Sequence, residues 1–211
     1  MTDRALGIQY ATAAQEREAV TLGMWAFLAT EVLFFGALVA AYSNYRIWFG
    51  GEFIAAAKLT KVWFGTVNTA VLLTSSACMA MAVTTYETGS RRKPVLWLAA
   101  TALLGFAFIA IKSVEYWLEY QEHLVPGLNF DLSAHGGVAE IFFMFYFCAT
   151  GLHALHLFIG ISMVAWLAFW IRTGRIDRTG STVRLVGLYW HFVDIVWIFL
   201  FPLIYLAGRN G

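Results

Sequence analysis

Apolar residues fall in five long blocks separated by short polar stretches. Val62–Tyr86 and Pro94–Ile111 carry no charged side chain. Ile141–Ile171 has only His153 and His156 as ionisable groups, Val20–Tyr45 is broken once by Glu31, and Leu185–Gly208 by His191 and Asp194. A helix rises 1.5 Å per residue, so about 20 residues cross the roughly 30 Å hydrocarbon layer. Each block is long enough. The pattern predicts an all-α membrane protein, a bundle of five transmembrane helices over about 20–45, 62–86, 94–118, 138–172 and 184–208. That makes one membrane domain, 20–208, behind a cytoplasmic N-terminal segment, 1–19.

Composition agrees, with 60% of residues apolar and 13% charged, where a soluble domain is about a quarter charged. A net charge of +1 argues against a nucleic-acid partner. Aromatic residues make up 17% of the chain, and Trp48, Trp63, Trp97, Trp117 and Trp170 fall near predicted helix ends, as interfacial belts require. Cys78 and Cys148 lie inside predicted helices and form no CxxC pair, which speaks against a structural disulfide. The first 20 residues lack the basic, apolar, small-residue order of a cleaved signal.

Lysine and arginine set the expected orientation. Nine of them (Arg4, Arg17, Arg91, Arg92, Lys93, Arg172, Arg175, Arg178, Arg184) fall on the side of the N-terminus. Four (Arg46, Lys58, Lys61, Arg209) fall on the other side. The N-terminus is therefore expected inside and the C-terminus outside. The acidic loop with Glu119, Glu122 and Asp131 then lies outside.

Each charge inside a span needs a partner or a purpose, because an unpaired one costs about 3 kcal/mol or more at mid-membrane. Glu31 lies roughly 15 Å into the first span, and its helical neighbours Phe27, Leu28, Phe34 and Phe35 offer it nothing. It is either protonated, since desolvation raises a carboxyl pKa, or it meets a donor on another helix. The fourth span supplies a face of small and polar groups, Ala149, His153, His156 and Gly160, suited to close approach and cross-helix hydrogen bonds. If the excess length of that span projects inward, His156 comes level with Glu31, so a Glu31–His156 pair is expected. His191 and Asp194 are three apart on the fifth span and face the same way. Lys112, Glu115 and Glu119 recur at the outer end of the third span, where lysine is expected to snorkel towards water and pair with glutamate.

Three readings of these residues are open. His-x-x-His with a carboxylate from another helix would suit a metal. A haem, though, wants histidines on facing helices, and a di-iron site wants repeated Glu-x-x-His. Intramembrane Asp, Glu and His are also the parts of proton relays. The plainest reading is interhelical bonding that fixes bundle geometry. A self-standing transporter is disfavoured, since no inverted repeat is visible and the first four spans have no internal proline interruption.

Three strings carry a resemblance. They are GMWAFLATEVLFFGALVAAY (Gly23–Tyr42), ATGLHALHLFIG (Ala149–Gly160) and YWHFVDIVWIFLFPLIYL (Tyr189–Leu206), with VNTAVLL (Val67–Leu73), RKP (Arg92–Pro94) and Glu115–Tyr116 beside them. In this order they resemble subunit III of the haem–copper terminal oxidases, in its short five-helix bacterial form. The resemblance implies a multi-pass subunit of a bacterial cytoplasmic membrane. In that family the subunit binds no haem or copper, packs against the catalytic subunit I (with subunit II nearby), holds phospholipids in a cleft and supports proton uptake. It also implies that Glu31 pairs with a histidine of the fourth-span motif.

The expected function is thus a non-catalytic subunit of a proton-pumping cytochrome c oxidase, with haem and copper in partner subunits and no metal or catalytic residue here. A bo-type quinol oxidase subunit, or an accessory protein of nitric oxide reductase, would carry similar motifs. Glu31 leans towards cytochrome c rather than quinol as the donor to the complex. Arg172, at the inner end of the fourth span, is a candidate ligand for a lipid phosphate. Two departures from the long form of the family matter. The lipid cleft has lost one wall, and Pro202 should loosen the last turns of the fifth span.

Overall fold

A computed structural model describes residues 12–89, 92–174 and 181–207. Five long helices, α1 (Ala13–Trp48), α3 (Val62–Glu87), α4 (Arg92–Gln121), α6 (Gly137–Thr173) and α7 (Ser181–Tyr205), are long and apolar enough to cross a membrane. Two short helices, α2 (Gly50–Leu59) and α5 (Leu132–His135), join them. The chain is an all-α, multi-pass membrane protein. Of the basic residues used for orientation, Arg4, Arg91, Arg175, Arg178 and Arg209 lie outside the described residues, as does the side chain of Arg17. Below, the end of the bundle where α1 begins is the near end, and the opposite one the far end.

Local chemistry explains most of the boundaries. α1 starts seven residues earlier than its apolar block, because the Thr12 side chain caps it by accepting from the Gln15 amide and Glu16 stands in its first turn. An N-cap oxygen and an early carboxylate answer the open amides there. α2 was not visible as a separate element. It follows α1 after the single residue Phe49 and buries Phe53, Ala56 and Ala57, and its ten residues rise only about 15 Å. Pro94 sits in the first turn of α4, where no backbone donor is missed. Gly136 (φ 79°) and Gly174 (φ 72°) bracket α6, in backbone conformations that favour glycine. Pro202 lies inside α7, which continues to Tyr205, and its carbonyl accepts from the Leu206 amide at 3.3 Å.

α3, α4, α6 and α7 form the core of the bundle, with α3 packed on α4 and α7, and α4 on α6. Half of the most apolar stretch of α7 is buried, against 11% for that of α1. The core is tight because glycines admit a tryptophan. A Cβ on Gly105 would lie 2.9 Å from the Trp190 ring and from Ile161, and one on Gly160 would lie 3.3 Å from the same ring. The wedged Trp190 indole donates to Ser75 Oγ on α3 at 3.0 Å. One side chain thus links four helices. α1 lies outside this core, and Tyr42, 2% exposed, ties it to α7 through a hydroxyl that donates to the Leu203 carbonyl at 2.8 Å.

Candidate functional site

Glu31 and His156 are brought together near the middle of α1 and α6. Glu31 Oε2 lies 3.1 Å from His156 Nε2, with both side chains mostly buried. The other ring nitrogen, Nδ1, is 2.8 Å from the Leu152 carbonyl one turn back. A carbonyl only accepts, so Nδ1 carries a hydrogen. The Glu31 contact then holds one further proton, either on the carboxyl, donating to a neutral imidazole, or on Nε2, donating to a carboxylate. The two alternatives posed by the sequence, a protonated Glu31 or a Glu31 with a partner, are two positions of one proton. Phe35 packs edge-on against the imidazole at 5.3 Å, and the Tyr189 hydroxyl donates to the His156 carbonyl.

His153 is not part of this pair, contrary to the expectation that the two histidines share one face. Positions three apart on a helix diverge by about 60°, and the bundle places different neighbours on each. His153 is fully buried, with its ring 5.4 Å from Phe108 and 5.1 Å from Trp197. Neither of its nitrogens has a hydrogen-bond partner among the described residues. His191 Nδ1 meets Ser76 Oγ on α3 at 2.7 Å, and the buried Asp194 stands near the same serine with no hydrogen-bond partner among the described residues. Among the described residues no three of His, Cys, Asp and Glu converge as a metal ion needs.

Lys112 corrects a second expectation. It does not snorkel to water but is 2% exposed inside the bundle. Its ammonium donates to Glu115 Oε2 at 2.9 Å, to the Tyr146 hydroxyl at 2.7 Å and to the Tyr205 hydroxyl at 2.6 Å. Both tyrosines in turn donate to Glu115 Oε1, at 3.0 and 2.8 Å. Residues from α4, α6 and α7 therefore close one knot in which every ammonium hydrogen is used. Four aromatic rings surround the ammonium, the nearest centroid being that of Tyr146 at 4.4 Å. Tyr146, Tyr205 and Ser76 are missed by sequence reading because they carry no charge, and hydrocarbon tolerates a lone hydroxyl far better than a lone ion. A tyrosine inside a span was the available signal.

An apolar groove of about 570 Å³ opens at the near end between α1, α6 and α7, lined by Met24, Phe158, Met163, Trp166, Leu185 and their neighbours. Arg172 stands exposed in the last turn of α6 at the same end.

Such a bundle defines a class of protein, a polytopic membrane protein in which some intramembrane polar groups are answered by neighbouring helices. The chain belongs to the cytochrome c oxidase subunit III family, whose profile matches residues 7–209. It is 29% identical over 188 residues to the cytochrome bo(3) ubiquinol oxidase subunit 3 of Pseudomonas aeruginosa, covering 88% of this chain and 84% of that protein. It is also 29% identical to the cytochrome c oxidase subunit 3 of Alkalihalophilus pseudofirmus, covering 90% of this chain and 87% of that one. A fused haem–copper oxidase subunit I+III of Aeropyrum pernix is 32% identical over 200 residues, which is 90% of this chain and 23% of that longer protein.

Proposed function

We propose that this chain is the non-catalytic third subunit of a proton-pumping cytochrome c oxidase in a bacterial cytoplasmic membrane, with its N-terminus inside. Oxygen is reduced at haem and copper held by partner subunits. This chain packs on subunit I, retains phospholipid and sustains proton delivery to that subunit. The family match carries the assignment, and the fused I+III relative supports subunit I as the neighbour. The Glu31–His156 contact supports the proton-related part, because carboxylates and imidazoles that meet inside a membrane-spanning bundle are the usual parts of proton relays. The groove has the apolar lining that an acyl chain needs, and Arg172 offers a phosphate its two-pronged donor.

A quinol donor is the second reading, favoured by relatives that carry that name at equal identity. Purification of the tagged chain from its native membrane separates the two. The expected result is co-elution with haem and copper and rapid oxidation of reduced cytochrome c. Oxidation of a quinol with no turnover of cytochrome c establishes the second reading, and elution free of haem refutes both.

A further inference from the structure

One face of α4 buries a cation and two carboxylates, Lys112, Glu115 and Glu119, at 2%, 0% and 1% exposure. An ammonium has three hydrogens to give and a tyrosine has one. All five go to the knot described above. Lys112 spends its three on Glu115, Tyr146 and Tyr205, while Tyr146 and Tyr205 spend theirs on Glu115. Lys112 and Glu115 cancel in charge. Glu119, one turn towards the far end, has both carboxyl oxygens buried with no hydrogen-bond partner among the described residues. Tyr146 stands near it with its hydrogen already committed. The Tyr116 hydroxyl is 2.6 Å from Thr150 Oγ1 instead. Lys61, at the start of α3, is within electrostatic reach but is bound at 2.7 Å to the exposed Glu122. Among the described residues, an ionised Glu119 would have no donor and no counter-ion of its own.

We propose that Glu119 is a proton-binding site, a neutral carboxylic acid that carries its own hydrogen and exchanges it with water at the far end. α4 ends only two residues beyond it, and the chain then enters the exposed turn that holds Glu122. Loss of this proton sets a second carboxylate against Glu115 for the one ammonium. Lys112 and the two tyrosines must then divide between the carboxylates, and the tie between α4, α6 and α7 loosens. Occupancy of the site thus switches the knot between closed and divided states. The proposal is independent of the electron donor and of the role of Glu31.

The test is an infrared difference spectrum of the purified complex, wild type minus Glu119→Gln, in H₂O and D₂O at neutral pH. The expected difference is a carboxylic-acid C=O band that shifts in D₂O, is absent from Glu119→Gln and remains in Glu31→Gln. A difference confined to the ionised-carboxylate bands overturns the proposal. Glu119→Leu checks it independently, and replaces Glu119→Gln in the spectrum if the latter fails to assemble. A neutral, unbonded acid is replaced by an apolar group of similar size without loss, so the complex should melt no lower than wild type. A lower melting temperature for Glu119→Leu shows that the carboxyl makes an ionic tie, and also overturns the proposal.

Discussion

Replacing Lys112 by methionine should be among the most damaging single changes to this bundle. The substitution keeps the length of the side chain and removes the ammonium, with its bonds to Glu115, Tyr146 and Tyr205. What remains is a fully buried Glu115 that still accepts from both tyrosines but has lost its counter-charge. Removing one member of a buried ion pair typically costs about 3–5 kcal/mol, because the other is left uncompensated. The low exposure of the pair, 3% and 0% of the side chains, places it in that regime rather than in that of surface pairs, worth about 0–1 kcal/mol. In the double variant Lys112→Met/Glu115→Gln both charges are gone, and the amide oxygen can still accept from the tyrosines. The double should therefore be more stable than Lys112→Met alone, with a coupling of about 2 kcal/mol. Equilibrium unfolding of the chain in mixed detergent micelles, followed by far-ultraviolet dichroism and tryptophan fluorescence, supplies the four stabilities of the cycle. A cost below about 1 kcal/mol for Lys112→Met, or strictly additive costs, would refute the picture of a closed buried knot.

Other perturbations test other contacts. Gly105→Ala places a methyl 2.9 Å from Ile161 and the wedged Trp190 ring, so overpacking of about 1–3 kcal/mol should appear in the same unfolding assay. An unchanged midpoint would show that the ring can shift at no cost. Tyr42→Phe removes the bond to the Leu203 carbonyl and should cost about 1 kcal/mol, seen as faster amide exchange confined to α1 and α2. Glu31→Gln should leave the bundle inserted while shortening the turnover lifetime of the complex or its retention of lipid, and no change in either would count against its role. In the exposed turn before α5, the Ser133 hydroxyl and the Ala134 amide hold the Asp131 carboxyl below its ordinary range. A lowered value means that this cap is fully formed above the ordinary carboxylate pKa and is lost as pH falls through the folded one. Protection of the Ser133 and Ala134 amides should accordingly fade in acid, and Asp131→Ala should abolish the difference at neutral pH.

The five membrane-crossing helices were legible because hydrocarbon length and the cost of unpaired charge act on consecutive residues, and consecutive residues are what a sequence displays. The need of Glu31 for an outside partner was legible for the same reason, since its own helix supplies only apolar neighbours. Helical depth alone then pointed to His156. α2 was hidden because one residue, Phe49, separates it from α1, and no run of polar residues marks the break. Depth could not say which way a side chain points around its helix. His153 and His156 lie three apart and meet different helices.

The burial of Lys112 was the least legible feature. Position in the chain put it near a helix end, where a long side chain can reach water. The hydroxyls of Tyr146 and Tyr205, brought from two other helices, hold it inside instead. Sequence by itself determined the number of spans and the residues that hydrocarbon would not tolerate alone. The tertiary structure decided which of those residues answer one another, because hydrogen bonds between helices depend on rotation and crossing geometry, which local periodicity does not encode.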